Sequence, residues 1–211
     1  GGPAGPPGRA TVARGPLGRR RGGRGGARAV ALSRVPGEWP GARRRVGPYS
    51  GPMTTTDEGR AQDALTASGI VFSITRHGRV GSLAEAAAAR GVEPRDIVKT
   101  LVVQRGDGDF LFVLVPGDRE ISWPKLRAHL GVNRVSMPDA ATALEVTGYE
   151  RGTITPFGST TAWPVIADVS MTGRRVSLGA GAHGVAATVE ADAALVALSA
   201  DVADITDPLQ N

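Results

Sequence analysis

The chain has 211 residues, of which 41% are hydrophobic, and it carries a formal net charge of +5 and no cysteine. Without cysteine there are no disulfides, no thiolate metal sites and no cysteine nucleophile, and we expect a cytoplasmic protein. No apolar stretch approaches the ~18 residues of a membrane span, and the arginine-rich N-terminus lacks the apolar segment of a signal or transit peptide. We therefore expect no membrane partner.

The charge is divided unevenly along the chain. Residues 1–52 contain 11 arginines, one acid, 14 glycines and 8 prolines, whereas residues 53–211 have 14 basic and 19 acidic residues and a net charge of −5. The first segment has too little apolar surface to offset the entropy of folding, so we expect a disordered tail. Residues 19–26 resemble an RGG-type segment that binds nucleic acid. Alternatively, the protein starts at Met53 and residues 1–52 are read through from upstream. This interpretation is favoured, because composition alone specifies no function.

Residues 53–211 show the hydrophobic periodicity and the regularly placed turn and cap residues of one globular domain. Helices are predicted at residues 57–68, 83–90, 123–130, 138–146 and 191–199. Strands are predicted at residues 70–76, 100–104, 110–115, 164–168, 175–178, 185–189 and 202–205, with a hairpin turn at 105–109. These elements lack the regular spacing of a doubly wound sheet. They predict an α+β (mixed α/β) fold with a mixed, partly closed, barrel-like sheet flanked by helices.

The glycine-rich segment at 179–184 matches the pattern G-x-G-x-x-G of dinucleotide sites. It is followed by the β-branched run 185–189 instead of a helix, which argues against such a site. A loop whose free N–H groups approach a ligand is the better interpretation. The histidines His77, His129 and His183 have no metal-site spacing, and a structural role is favoured for each.

Two further features can carry chemistry. Lys99 is one of only two lysines beside 23 arginines, and it precedes the predicted strand 100–104. It either meets a ligand or extends to the surface, and position alone leaves both open. The segment 152–156 is a G-x-x-x-P loop that can turn successive N–H groups toward a carbonyl oxygen. No G-x-S-x-G motif or paired carboxylates support a serine hydrolase or a glycosidase.

In this order, the segments resemble the YbaK-type aminoacyl-tRNA deacylases, including the editing domain inserted in many bacterial prolyl-tRNA synthetases. The resemblance covers about residues 65–207. It is carried by His77 and by the segments 82–87, 97–101, 112–118, 148–149, 152–158, 179–184 and 202–205.

The resemblance implies hydrolysis of the ester between a wrong amino acid and the terminal adenosine of a tRNA, without metal or cofactor. A synthetase is a candidate partner, and the alternative function is non-catalytic binding of aminoacyl-tRNA or of a synthetase. The residues implied at the catalytic centre are Lys99, Gly152, Thr153, Thr155 and Pro156. Those implied to bind substrate are His77, Thr100, Gly179, Gly181, His183 and Gly184. We expect Lys99 to anchor the carbonyl or phosphate end, and the N–H groups from Gly152 to Thr155 to face the carbonyl oxygen.

Overall fold

The computed structural model describes residues 56–210, so the predicted tail at 1–52 and a start at Met53 lie outside the described residues. The helices are α1 (Asp57–Ala67), α2 (Leu83–Arg90), α3 (Trp123–Leu130), α4 (Ala140–Thr147) and α5 (Ala191–Ala197). The strands are β1 (Phe72–Arg76), β2 (Ile97–Gly106), β3 (Asp109–Pro116), β4 (Arg119–Ile121), β5 (Val165–Asp168), β6 (Arg175–Gly179), β7 (Val185–Glu190), β8 (Asp201–Ala203) and β9 (Thr206–Pro208). No helix within residues 56–210 is long and apolar enough to cross a membrane.

Local sequence signals account for several helix ends. The side chains of Thr56, Ser82 and Asp139 accept a hydrogen bond from the backbone N–H of the third residue after them, at the starts of α1, α2 and α4. Helix α2 begins and ends at the predicted residues, because Ser82 caps one end and Gly91 adopts a left-handed conformation at the other.

Seven strands form one mixed sheet in the order β1-β7-β6-β2-β3-β5-β8, and β4 pairs with β9 in a separate two-stranded sheet. Strand β2 is parallel to β6, and β5 is parallel to both β3 and β8, while the other pairs are antiparallel. The predicted mixed sheet with flanking helices is confirmed. The sheet is open between its edge strands β1 and β8.

Strand β3, which lies between β2 and β5, is buried on both faces. Phe112 and Leu114 pack with residues of α1, α4 and α5 on one face. Leu111 and Val113 pack on the other face in a cluster that includes Leu126 of α3. Helices α1, α4 and α5 therefore cover one face of the sheet and α3 covers the other, in agreement with the uninterrupted apolar sequence of this strand.

Several strands differ from the prediction. Strand β2 begins at Ile97 instead of 100, because Ile97 and Val98 pair with β6, so Lys99 lies inside the strand and not before it. The predicted strand 202–205 corresponds to β8, which ends at Ala203, and neither β4 nor β9 was predicted. Strands of three residues are too short to show a period-2 pattern, and their pairing partners are distant in sequence.

Candidate active site

A cavity of about 330 Å³ lies where β6 leaves β2. The parallel pairing joins only Ile97 to Ser177 and Val98 to Leu178. Strand β6 ends at Gly179, and the N–H of Gly181 donates to a carbonyl outside β2. The two parallel strands therefore separate at the carboxyl end of β6 and near the amino end of β2.

The edge of β2 presents unsatisfied polar groups to this cavity. Gln104 exchanges two backbone hydrogen bonds with Ser136, so its N–H and C=O point away from β3. Because this direction alternates along an antiparallel strand, the backbone groups of Thr100 and Val102 point the same way. Both residues line the cavity. The hydroxyl of Thr100 is buried and has no hydrogen-bond partner within the described part of the chain, so it is available to a ligand group or a water molecule.

Lys99 lines the cavity with its ammonium held by the turn between β3 and β4. Its Nζ donates to the carbonyl oxygens of Gly117 and Arg119, at 3.4 and 2.5 Å. Burial lowers the pKa of Lys99, while the charges of Asp118 and Glu120 act in the opposite direction. An ammonium has three donors, and these two carbonyls engage two of them.

The Gly152 loop is anchored by a buried tyrosine. Tyr149 donates its hydroxyl to the carbonyl oxygen of Phe157 at 2.8 Å, and burial raises its pKa well above the usual value. Thr155 is fully buried and its hydroxyl accepts from the N–H of Phe157. At Gly152, φ is +96°, and a Cβ atom would lie 3.2 Å from Cε1 of His183. This left-handed φ favours glycine at this position.

Some backbone N–H groups of this loop donate a hydrogen bond within the described residues and others do not. Both the N–H and the hydroxyl of Thr153 donate to the carbonyl oxygen of Glu150 at 2.9 Å. The expectation that all N–H groups from Gly152 to Thr155 face a ligand is therefore wrong for Thr153. The N–H groups of Gly152 and Ile154 have no acceptor among residues 56–210, and both residues line the cavity.

The cavity is positively charged. It is lined by Arg90, Lys99 and Arg151 and by one carboxylate, Asp139. That carboxylate caps α4, and hydrogen bonds from Thr142 lower its pKa. Since residues 53–211 have a net charge of −5, this local excess of cations indicates an anionic ligand. The sequence analysis missed both arginines, although Arg151 directly precedes the loop glycine.

The predicted site residues do not all meet in one place. A second cavity, of about 430 Å³, is lined by three of them and by the acidic side chains of Asp57, Glu58 and Glu150. The first cavity contains Lys99, Thr100, Gly152 and Gly179, the second contains Thr153, Gly181 and His183, and neither is lined by His77, Thr155, Pro156 or Gly184. Across residues 56–210, no group of three or more His, Asp or Glu side chains is placed to hold a metal ion.

His77 is linked to the first cavity through Arg90. Its ring Nε2 lies 3.2 Å from Nε of Arg90, which lines the cavity. Its backbone N–H donates to the carbonyl oxygen of Gly184 at 2.8 Å. A Cβ atom at Gly184 would lie 2.2 Å from the carbonyl oxygen of His77, so this approach requires glycine.

Known proteins resemble this chain in both fold and sequence. A crystal structure of a candidate trans-editing enzyme for prolyl-tRNA synthetase superposes with a TM-score of 0.66 at 24% identity, covering 74% of this chain and 99% of the other. The proline–tRNA ligase of Thermosipho africanus is 40% identical over 80 residues, which are 38% of this chain and 14% of the ligase. That of Geobacter sp. strain M21 is 35% identical over 92 residues, 44% of this chain and 16% of the ligase.

The chain thus spans about a sixth of the length of the curated relatives it matches. The family model for the aminoacyl-tRNA editing domain matches residues 77–195, a span that begins at His77 and includes Lys99, the Gly152 loop and the glycine loop. This match covers more than half of the chain, and the chain therefore belongs to the aminoacyl-tRNA editing domain family.

Proposed function

We propose that this chain hydrolyses the ester of mischarged aminoacyl-tRNA, releasing the amino acid and leaving the terminal ribose hydroxyl free. One observation carries the proposal. A positively charged cavity combines a spare ammonium N–H of Lys99, the unpaired hydroxyl of Thr100 and the free N–H groups of Gly152 and Ile154. These donors suit the carbonyl and ribose oxygens of an aminoacyl ester.

The free N–H groups of Gly152 and Ile154 supply the stabilisation that ester hydrolysis needs. When water adds to the carbonyl carbon, the carbonyl oxygen becomes an oxyanion, and fixed N–H donors stabilise that charge more than they stabilise the ester. The buried Tyr149 holds the loop before substrate arrives, so the donors need little reorganisation. Thr153 contributes to the same rigidity through Glu150.

Lys99 has the role of an anchor. Two carbonyls hold its ammonium, and its remaining N–H binds the carbonyl or phosphate end of the substrate. The attacking water gives a proton to the ribose hydroxyl next to the ester, and that hydroxyl passes its own proton to the ester oxygen as the ester C–O bond breaks. An activated ester requires only a positioned water and stabilisation of the oxyanion, so no side-chain nucleophile is invoked.

The partner that brings the substrate is proposed to be a synthetase. The relatives are proline–tRNA ligases, which contain a segment similar to this chain. With a net charge of −5, residues 53–211 have no general attraction for a polyanion. We expect weak binding to isolated tRNA, and tighter binding when the synthetase presents it.

The decisive experiment is a deacylation assay across a panel of mischarged tRNAs. We expect hydrolysis of at least one member, and a loss of about 10²-fold in the single-turnover rate for Lys99→Ala. Lys125→Ala is the matched control, because this second lysine is partly exposed and pairs with Asp204 and Asp207 outside the cavity. Binding without hydrolysis of any panel member would instead indicate a non-catalytic binder.

A further inference from the structure

Arg90 is the last residue of α2, and its half-buried side chain lines the first cavity. Its Nε donates to His77, and its two terminal NH₂ groups have no acceptor among residues 56–210. Burial lowers the pKa of Arg90, although a guanidinium stays charged in proteins. A half-buried cation without a carboxylate partner is costly, so this arrangement favours an anionic ligand.

The hydrogen bonds of the two ring nitrogens of His77 fit the same tautomer. Its Nδ1 lies 2.8 Å from the carbonyl oxygen of Gly78, which only accepts, so Nδ1 carries the proton. Its Nε2 lies 3.2 Å from Nε of Arg90, which only donates, so Nε2 presents its lone pair. His77 therefore accepts the hydrogen bond that Arg90 donates.

The position of His77 is fixed from the other side by the end of the glycine loop. Its backbone N–H donates to Gly184, the next residue after His183. This chain of contacts runs from Gly184 through His77 to Arg90. It leaves the flat outer edge of the guanidinium, with its two NH₂ groups, as the free part of the side chain.

We propose that Arg90, oriented by His77, binds the phosphate of the terminal nucleotide of the tRNA. This inference rests on the proposed function. Before hydrolysis the aminoacyl ester has no carboxylate, and the anion nearest to it in the substrate is the 5′-phosphate of the adenosine that carries it. A guanidinium edge with two parallel N–H donors matches two phosphate oxygens. Arg90 is the binding residue, and His77 is a positioning residue.

The test measures the dissociation constants of adenosine 5′-monophosphate and of adenosine for the full chain by NMR titration. The wild type should bind the monophosphate at least about tenfold more tightly than adenosine, the gain expected of a charge-assisted bidentate contact. Arg90→Gln should bring the ratio of the two affinities, monophosphate over adenosine, close to one. Arg175→Gln is the matched control, because this exposed arginine begins β6 at the end opposite Gly179, and its ratio should stay at the wild-type value.

The role of His77 has its own pair of variants. His77→Leu removes the acceptor and should lower the ratio, whereas His77→Gln places an amide oxygen near the position of Nε2 and should restore most of it. A ratio in His77→Leu equal to that of the wild type would overturn the positioning role. Melting curves of all variants separate loss of the contact from loss of the fold.

The outcomes distinguish this inference from the proposed function. A wild type that binds the monophosphate no more tightly than adenosine overturns the assignment of Arg90, as does an unchanged ratio in Arg90→Gln. If the ratio behaves as expected but no mischarged tRNA is hydrolysed, the proposed function fails and the assignment of Arg90 stands. If deacylation is observed while Arg90→Gln keeps the wild-type ratio, the assignment of Arg90 fails and the proposed function stands.

Discussion

The backbone N–H of Gly181 donates to the carbonyl oxygen of Thr153 at 3.1 Å. This hydrogen bond joins the glycine loop to the Gly152 loop, and it replaces the bond that would have continued the parallel pairing of β6 with β2. The backbone groups of Thr100 are left facing a cavity as a result. A single contact between residues 28 positions apart thus both opens the site and holds two of its loops together.

Replacing Lys99 by arginine tests whether its compact charge is needed. We expect Lys99→Arg to recover little of the activity lost in Lys99→Ala, because a planar guanidinium does not fit where two carbonyls hold an ammonium. Single-turnover deacylation rates provide the measurement. If Lys99 only extends to the surface, Lys99→Arg should instead show near-normal rates.

The lowered pKa of Lys99 predicts opposite effects of alkaline pH on activity and on stability. As pH rises through a value below the ordinary 10.5, the ammonium is lost and the rate, corrected for spontaneous hydrolysis, should fall. The folded state binds fewer protons than the unfolded state in that window, so this group makes the free energy of unfolding rise with pH. Both trends should disappear in Lys99→Arg. A rate profile of the same shape in that variant would contradict the assignment.

Gly152→Ala should damage the site more than the fold. Its φ of +96° and the 3.2 Å approach of His183 combine backbone strain with a displaced neighbour. Gly173→Ala is the control, because φ is +68° there and nothing lies within 4 Å of a Cβ atom. Each variant should lose about 1 kcal/mol in the free energy of unfolding, measured in urea. Only Gly152→Ala should lose deacylation activity, and equal activity in both variants would argue against the role of the loop.

Thr188→Val should leave stability unchanged or raise it by about 1 kcal/mol, because the variant removes a buried hydroxyl that has no partner. Ser177, directly opposite in β6, also has an unpartnered hydroxyl. Thr147→Val is the matched control, since that hydroxyl donates to Ala143 at 2.7 Å and accepts from the N–H of Tyr149 at 3.1 Å. The control should lower the free energy of unfolding by about 1–3 kcal/mol. Calorimetric melting compares the two, and a loss in Thr188→Val as large as in the control would refute the expectation.

Asp168→Asn should weaken the junction between β5 and β9. Burial opposes ionisation of Asp168, but hydrogen bonds from Ser170, Thr206 and the N–H of Ile205 outweigh it and lower the pKa. An amide offers one acceptor oxygen where the carboxylate offers two, so we expect a loss of about 3 kcal/mol near neutral pH.

The dependence of the free energy of unfolding on acidic pH tests the cause of that loss. A lowered folded-state pKa contributes stability above the unfolded value of 3.8, and this stability is lost as pH falls through the folded pKa. The difference between the wild type and Asp168→Asn should therefore shrink from about pH 5 to about pH 2 in urea unfolding. A difference that is constant with pH would mean that packing, not charge, stabilises this junction.

Several features follow from the sequence alone because their causes are local. Helix α2 has the predicted bounds, since Ser82 and Gly91 set its two ends within a few residues of chain. The hairpin of β2 and β3 follows from the turn at 105–109 and two apolar runs. The order of motifs from His77 to the glycine loop was enough to indicate the editing-domain family.

Other features were decided only by the tertiary structure. The start of β2 depends on its pairing with β6, some 80 residues later in the chain, and β4 depends on β9. The use of the Thr153 N–H by Glu150 and the contact of Arg90 with His77 have no signature in spacing. These contacts arise where segments distant in sequence approach each other, and a pattern that repeats every two or four residues contains no information about such approaches.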